Sequence, residues 1–244
     1  MSLSYHIKKV ILFFISFLSI SCTPRVDRLE YALCLSGDNR PELEKVLARY
    51  SSSPSDSLKY RAAVFLIENM PGYGYYEGPV LDNFLEYYHL LRSVRLKRQS
   101  PDVAVDSINK KYGKFDLSSL HYKEDIHTVD SAYLCRNIDW AFRVWEEQPW
   151  GRNVGFRDFC EYILPYRVGN ETLADWREMY YEKYNGILDG LRNSDSSDRE
   201  DPAAAARIIT DSLTGPKKIF FTSAAPAALP HIGPVAADSR SGNC

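Results

Sequence analysis

The stretch Asn137–Trp176, NIDWAFRVWEEQPWGRNVGFRDFCEYILPYRVGNETLADW, decides how the chain is read. It carries all four tryptophans, Trp140, Trp145, Trp150 and Trp176. Large aromatic side chains bury the most apolar surface per residue, so the core is expected to be densest here. Apolar residues recur at helical spacing in three runs. Cys135, Ile138, Phe142 and Trp145 make the first, and Phe156, Phe159, Cys160 and Ile163 the second. Leu173, Trp176, Tyr180, Tyr184, Ile187 and Leu191 make the third. Pro149-Trp150-Gly151 and Pro165 punctuate them, and Asn170 or Thr172 is placed to cap the third. Three packed helices are the expectation. Asp158, Glu161 and Glu171 read as solvated charges on exposed helix faces and are assigned no acid–base role.

Toward the N-terminus the helical pattern continues. Val26, Leu29, Ala32 and Leu33 share a face, which Ser36-Gly37-Asp38 interrupts. Pro41 suits a first helical turn, ahead of Leu43, Val46, Leu47 and Tyr50. After a polar loop, Ser51–Ser55, Asp56 is placed to cap a helix to about Glu68, with Leu58, Ala62, Phe65 and Leu66 inward. Asn69–Gly78, NMPGYGYYEG, contains a proline and three glycines and is expected to be loop. Its Tyr73, Tyr75 and Tyr76 suit either the lining of a cleft or packing over neighbouring helices. The usual half-buried place of tyrosine favours packing.

A helix is expected from Val80 to Arg98, with Leu81, Phe84, Leu85, Tyr88 and Leu91 on its apolar face. Its basic end, RLKR, complements the negative helix terminus and needs no ligand. Pro101 opens a shorter helix to about Tyr112. His121 and His127 flank Glu124 and Asp125, but six residues do not bring both imidazoles to one helical face. No metal site is expected, and these side chains read as solvated or capping.

Past the third run the texture changes. Asn193–Asp201, NSDSSDRED, reads as a polar linker and Pro202–Leu213 as an alanine-rich helix. Gly215-Pro216 breaks the chain, Ile219–Thr222 is the only expected strand, and Ala224–Gly242 carries Pro226, Pro230 and Pro234. The sequence ends Arg240-Ser241-Gly242-Asn243-Cys244.

Composition narrows the function. The formal net charge is -2 and no long basic run follows residue 30, so nucleic acid is not an expected partner. The cysteines show neither CxxC nor zinc-ligand spacing. Cys135 and Cys160 fall on apolar faces, where a free thiol acts as a small hydrophobe. Neither a disulfide framework, nor a metal, nor a cofactor is expected. At the N-terminus, Lys8 and Lys9 precede an apolar run, Val10–Ile20, too short for a comfortable membrane span. It leads to Ser21-Cys22. This order resembles a bacterial lipobox, with Ser19 where a larger aliphatic residue is usual. The implied organisation is a signal peptide over residues 1–21 and an acylated Cys22. That cysteine would anchor the chain to membrane lipid of the bacterial cell envelope, at the outer membrane, without spanning it.

The blocks GDNRPELEKVLARY, DSLKYRAAVFLIENMPG, NIDWAFRVW and FRDFCEYILPYRVGNETLADWRE, with the terminal RSGNC, resemble a family of Bacteroidetes-type lipoproteins with a transglutaminase-like domain. The resemblance implies a mainly α chain. A helical domain would cover residues 22–192, and a linker with a short helix residues 193–214. Residues 215–244 would be the incomplete start of a papain-like (transglutaminase-like) α+β core. It implies Cys244 as the nucleophile, whose thiolate would attack an amide carbonyl of a protein or peptide substrate to give a thioester. The histidine and aspartate of the family triad follow that cysteine. They are not in this sequence, so the expectation is a fragment without transglutaminase or protease activity. The alternative is a binding module, holding glycan by ring stacking or peptide in a helical groove. Aromatic residues gathered around one cleft would favour it.

Overall fold

The computed structural model describes residues 27–96, 101–112, 116–167 and 169–213. They are mainly helical. Three short helices open the fold: α1 (Arg28–Leu35), α2 (Arg40–Ser51) and α3 (Ser57–Glu68). Local chemistry sets their starts. The Asp27 carboxylate accepts the Leu29 and Glu30 N–H groups at the head of α1. Pro41 sits in the first turn of α2, where its missing N–H costs nothing. Between them the chain turns at Gly37, with φ 54, a conformation open to glycine.

A helical hairpin follows, α4 (Pro79–Leu96) and α5 (Pro101–Tyr112); Pro101 opens α5 as expected, and Pro79 opens α4 one residue before the expected start at Val80. Helix α6 (Ser131–Glu147) is the spine. Asp130 caps it through the Tyr133 N–H at 2.6 Å. Glu42 of α2 reinforces the same end, accepting from Ser131 N at 2.9 Å and Ser131 Oγ at 2.6 Å. Helices α2 and α3 pack on α6 and on each other. Leu43, Val46, Ile67, Ile138, Ala141 and Phe159 are buried between these elements. The tryptophan-rich stretch supplies the aromatic heart. Phe159 lies 4.8 Å from Phe142 and stacks on Trp145 at 4.4 Å, ring centre to ring centre.

Several expectations are corrected. Asn69–Gly78 is not all loop. Gly74–Glu77 forms strand β1, paired antiparallel with β2 (His121–Glu124), Gly74 facing Glu124 and Glu77 facing His121. The glycine that reads as a loop signal serves the pairing: a Cβ on Gly74 would lie 2.2 Å from the Lys123 carbonyl oxygen. The expected strand Ile219–Thr222 lies outside the described residues, and this ribbon removes its standing as the only strand. Tyr75 and Tyr76 accordingly lie on a ribbon, with Tyr76 5.0 Å from Tyr122, while Tyr73 is exposed. Leu58, expected inward, is exposed in the first turn of α3.

The second apolar run is not a regular α-helix. After one turn at Phe156–Asp158 it widens into a π-helix, Phe159–Ile163, closed by Leu164 N–H to Phe159 O at 2.8 Å. Phe159, Cys160 and Leu164 stay buried, and Tyr162 is turned out to 79% exposure. The third run becomes helical only at α7 (Trp176–Tyr184), whose N-cap is Asp175, so neither Asn170 nor Thr172 caps it. A 3-10 turn, Asn185–Leu188, then rotates the face. Leu188 and Leu191 turn inward and Ile187 outward, which breaks the periodicity read through Ile187.

The turn Pro149–Asn153 folds against the end of α6. Only glycine fits there, since a Cβ on Gly151 would lie 1.9 Å from the Trp145 carbonyl oxygen. Residues 193–201 are largely exposed, and their 3-10 turn is held by Asn153 Nδ2 donating to Glu200 O at 3.1 Å. Helix α8 (Pro202–Leu213) begins with Asp201 accepting the Ala203 N–H at 2.8 Å. Its Ala204 and Ala205 pack with Leu188 and Leu191 in a second, small cluster. No helix among the described residues is long and apolar enough to cross a membrane.

Candidate functional site

Cys22 and Cys244, the site residues expected from the sequence, lie outside the described residues. Among the described residues no group of histidine, cysteine and acidic side chains is arranged to hold a metal ion. His121 is exposed on β2, and His127 follows on the next short turn, its Nδ1 3.4 Å from Ser36 O.

Asp125, between those histidines, is not solvated as expected: it is fully buried. Arg167 grips it with two bonds of 2.6 Å, Nε to Oδ2 and Nη2 to Oδ1, and the Tyr166 hydroxyl donates to Oδ2 at 3.0 Å. The guanidinium also donates from Nη1 to Gly169 O at 3.2 Å and to Glu171 O. Glu171 is itself buried and off any helix, a second correction. Desolvation pushes the Asp125 carboxyl above its ordinary range, against the pull of Arg167. Both carboxylate oxygens are occupied. The cluster therefore works as a clasp joining the end of β2 to the loop before α7.

The described residues include a groove of about 500 Å³ between α7 and α8, with Val144 of α6 also in its lining. A second open pocket, of about 430 Å³, lies between α2 and the first half of α6 and is lined by charged Lys45, Arg49, Arg136 and Asp139. In the groove the two helices bring different side chains. Trp176, Tyr180 and Tyr184 stand at helical spacing along α7, with ring centres 6.3 Å and 5.6 Å apart. Trp150 joins the lining from the Pro149–Asn153 turn and packs against the small cluster of Leu188, Leu191, Ala204 and Ala205. The opposite side is Pro202, Ala205, Ala206 and Ile209 of α8. Small residues there leave a trough where large ones would close a core. The polar groups at its base satisfy one another. Gln148 Nε2 donates to Asn185 Oδ1 at 3.1 Å, and Arg192 Nη1 donates to Gln148 Oε1 at 3.1 Å and Asn185 Oδ1 at 2.7 Å.

Among the described residues that line the groove, Arg177 is the charged one, with Arg192 beneath the lining on Gln148 and Asn185. Arg177 Nε donates to Asn137 Oδ1 at 2.7 Å, and its Nη2 to Pro165 O at 2.7 Å and to Ile163 O. The guanidinium carbon lies 4.4 Å from the centre of the Trp176 ring. Burial lowers its pKa to about 10, which leaves it charged at neutral pH.

The sequence reading missed the groove. Its signal lies in the aromatic spacing of α7 and the alanines of α8, each of which reads alone as an ordinary helix face. Comparison with known proteins adds no relative: no family model, curated protein or solved structure matches this chain.

Proposed function

We propose that this chain is a lipid-anchored binding protein of the bacterial cell envelope that holds an apolar peptide segment in the groove between α7 and α8. The observation that carries the reading is the wall of Trp150, Trp176, Tyr180 and Tyr184 facing the alanines of α8. A concave, largely apolar lining of this size suits a few large side chains. Peptide is favoured over glycan because Gln148, Asn185 and Arg192 are already bonded to one another. A sugar ring brings several hydroxyls, and each would be desolvated against apolar walls without a partner. Anchoring follows from the basic and apolar order that leads to Cys22.

The test is a binding screen by tryptophan fluorescence and calorimetry, with short peptides rich in Leu and Phe on one arm and soluble oligosaccharides on the other. Peptide binding that weakens at least about tenfold in Tyr180→Ala is expected. Oligosaccharide binding in place of peptide, or peptide binding indifferent to Tyr180→Ala, would overturn it. Loss of lipid labelling in Cys22→Ala tests the anchor. The transglutaminase-like reading of the segment to Cys244 rests on sequence resemblance alone. Its test is amine incorporation into a glutamine-bearing protein, with Cys244→Ala as control.

A further inference from the structure

We infer that the peptide enters the groove by its C-terminus, with its terminal carboxylate paired to Arg177. This rests on the groove being a peptide site. The argument starts from charge. Half-buried and buried guanidiniums elsewhere in the described fold have acids beside them: Arg167 has Asp125, and Arg192 has Asp189. Arg177 has none. Its acceptors are the Asn137 amide oxygen and the carbonyls of Ile163 and Pro165, all neutral. Its Nη1 makes no hydrogen bond within the described protein, so two of its five N–H donors are unspent. Among the described residues no acidic side chain lines the groove.

A charge in a low-dielectric wall is costly until a counter-charge meets it. Among the described residues nothing supplies that counter-charge, and a ligand in the groove can. A carboxylate matches the flat guanidinium and accepts from adjacent N–H groups. The neighbours of Arg177 narrow the choice further. Trp176 precedes it in the chain, and Tyr180 lies three residues on, on the same helix and in the same lining. An anion bound here must carry an apolar or aromatic group close to its charge. The last residue of a peptide does so, with its carboxylate at Arg177 and its side chain against Trp176 and Tyr180. Lysine would not substitute, since an ammonium lacks the planar fork.

The experiment uses acetylated peptides ending in Phe or Leu, each as the free acid and as the C-terminal amide, titrated calorimetrically into the whole protein. The acid is expected to bind about tenfold or more tightly than the amide, the range of one charge-assisted pair. Arg177→Gln should erase most of that difference by weakening the acid far more than the amide. Arg177 also ties the Ile163 and Pro165 carbonyls to α7, so thermal melts check that the variant folds. Should it unfold, the acid–amide comparison in the unaltered protein decides alone. Equal binding of acid and amide would overturn the inference and leave the groove reading standing. No binding of either would overturn both. A long-chain fatty acid that displaces the peptide acid and binds more tightly would overturn the peptide as the source of the carboxylate.

Discussion

Two aromatic clusters with the same sequence signature have opposite fates in this fold. Phe142, Trp145, Phe156 and Phe159 recur at helical spacing, and so do Trp176, Tyr180 and Tyr184. The first group meets α2 and α3 and becomes core, with Phe159 fully buried. The second meets Ala205, Ala206 and Ile209 of α8 and stays half-buried along a groove. Periodicity identifies residues that share a face; it does not say how much volume the facing element brings. Large against large fills the space, and large against small leaves a trough.

The largest effects should come from the core side of this contrast. Phe142→Ala is expected to lose about 3–5 kcal/mol, because Phe142 is buried against Phe159 and Trp145. Asp125→Ala belongs in the same range of about 3–5 kcal/mol, because it strands the buried Arg167 charge. Tyr180→Ala, on the groove, should cost about 1 kcal/mol or less. Urea melts of the three variants measure this directly. A Tyr180→Ala loss as large as that of Phe142→Ala would erase the distinction between the clusters.

Ala206→Phe sharpens the contrast from the other side. Ala206 is exposed and lines the trough, so a ring placed there fills the ligand's space without entering the core. Peptide affinity should fall at least about tenfold while the unfolding free energy stays within about 0.5 kcal/mol of the parent's. Unchanged peptide affinity would show that the ligand binds elsewhere.

Much of the helical frame was legible because its signals are local. Pro41, Pro101 and Pro202 lie in the first turns of helices where expected, and Asp130 caps α6 through a bond three residues long. What stayed hidden depends on partners far along the chain. Gly74 pairs with Glu124, and Asp125 with Arg167, and no spacing rule announces either. The phase errors have a different origin. The π-helix at Phe159–Ile163 and the 3-10 turn at Asn185–Leu188 change the residues per turn, so a fixed 3.6 period misplaces Ile187. The groove was illegible for the reason given by the two clusters: its emptiness is a property of the pair of helices.

The thiols offer a milder probe of the same frame. Burial pushes Cys160 up to about 11 and also raises Cys135, so neither offers much thiolate at pH 8. Cys34 is exposed. Iodoacetamide at pH 8, read by peptide mapping, should label Cys34 first, with Cys160 labelled only as the fold opens. Early labelling of Cys160 would place the Phe159 cluster among the loosely packed regions and weaken the contrast.

The smallest effect expected is at Glu42, which ties α2 to the head of α6, the helix common to both regions. The ion contact with Lys45, then the two bonds from Ser131, hold the Glu42 carboxyl down at about 2 against an ordinary 4.5. A folded-state pKa below the unfolded one means that the carboxylate form favours the fold. Its contribution is therefore complete above about pH 4.5 and is lost as pH falls toward about 2. Glu42→Gln keeps an acceptor for Ser131 but has no proton to take up. Its melting temperature should fall less steeply than that of the parent across this window. Because Glu42 lies at the opposite end of α6 from Val144 and Gln148, the variant should bind peptide at pH 7 as the parent does. Parallel acid melting curves for the two proteins would remove Glu42 from the account. A change in peptide affinity would mean that the head of α6 and the groove act as one unit, and the comparison would have to be redrawn around that coupling.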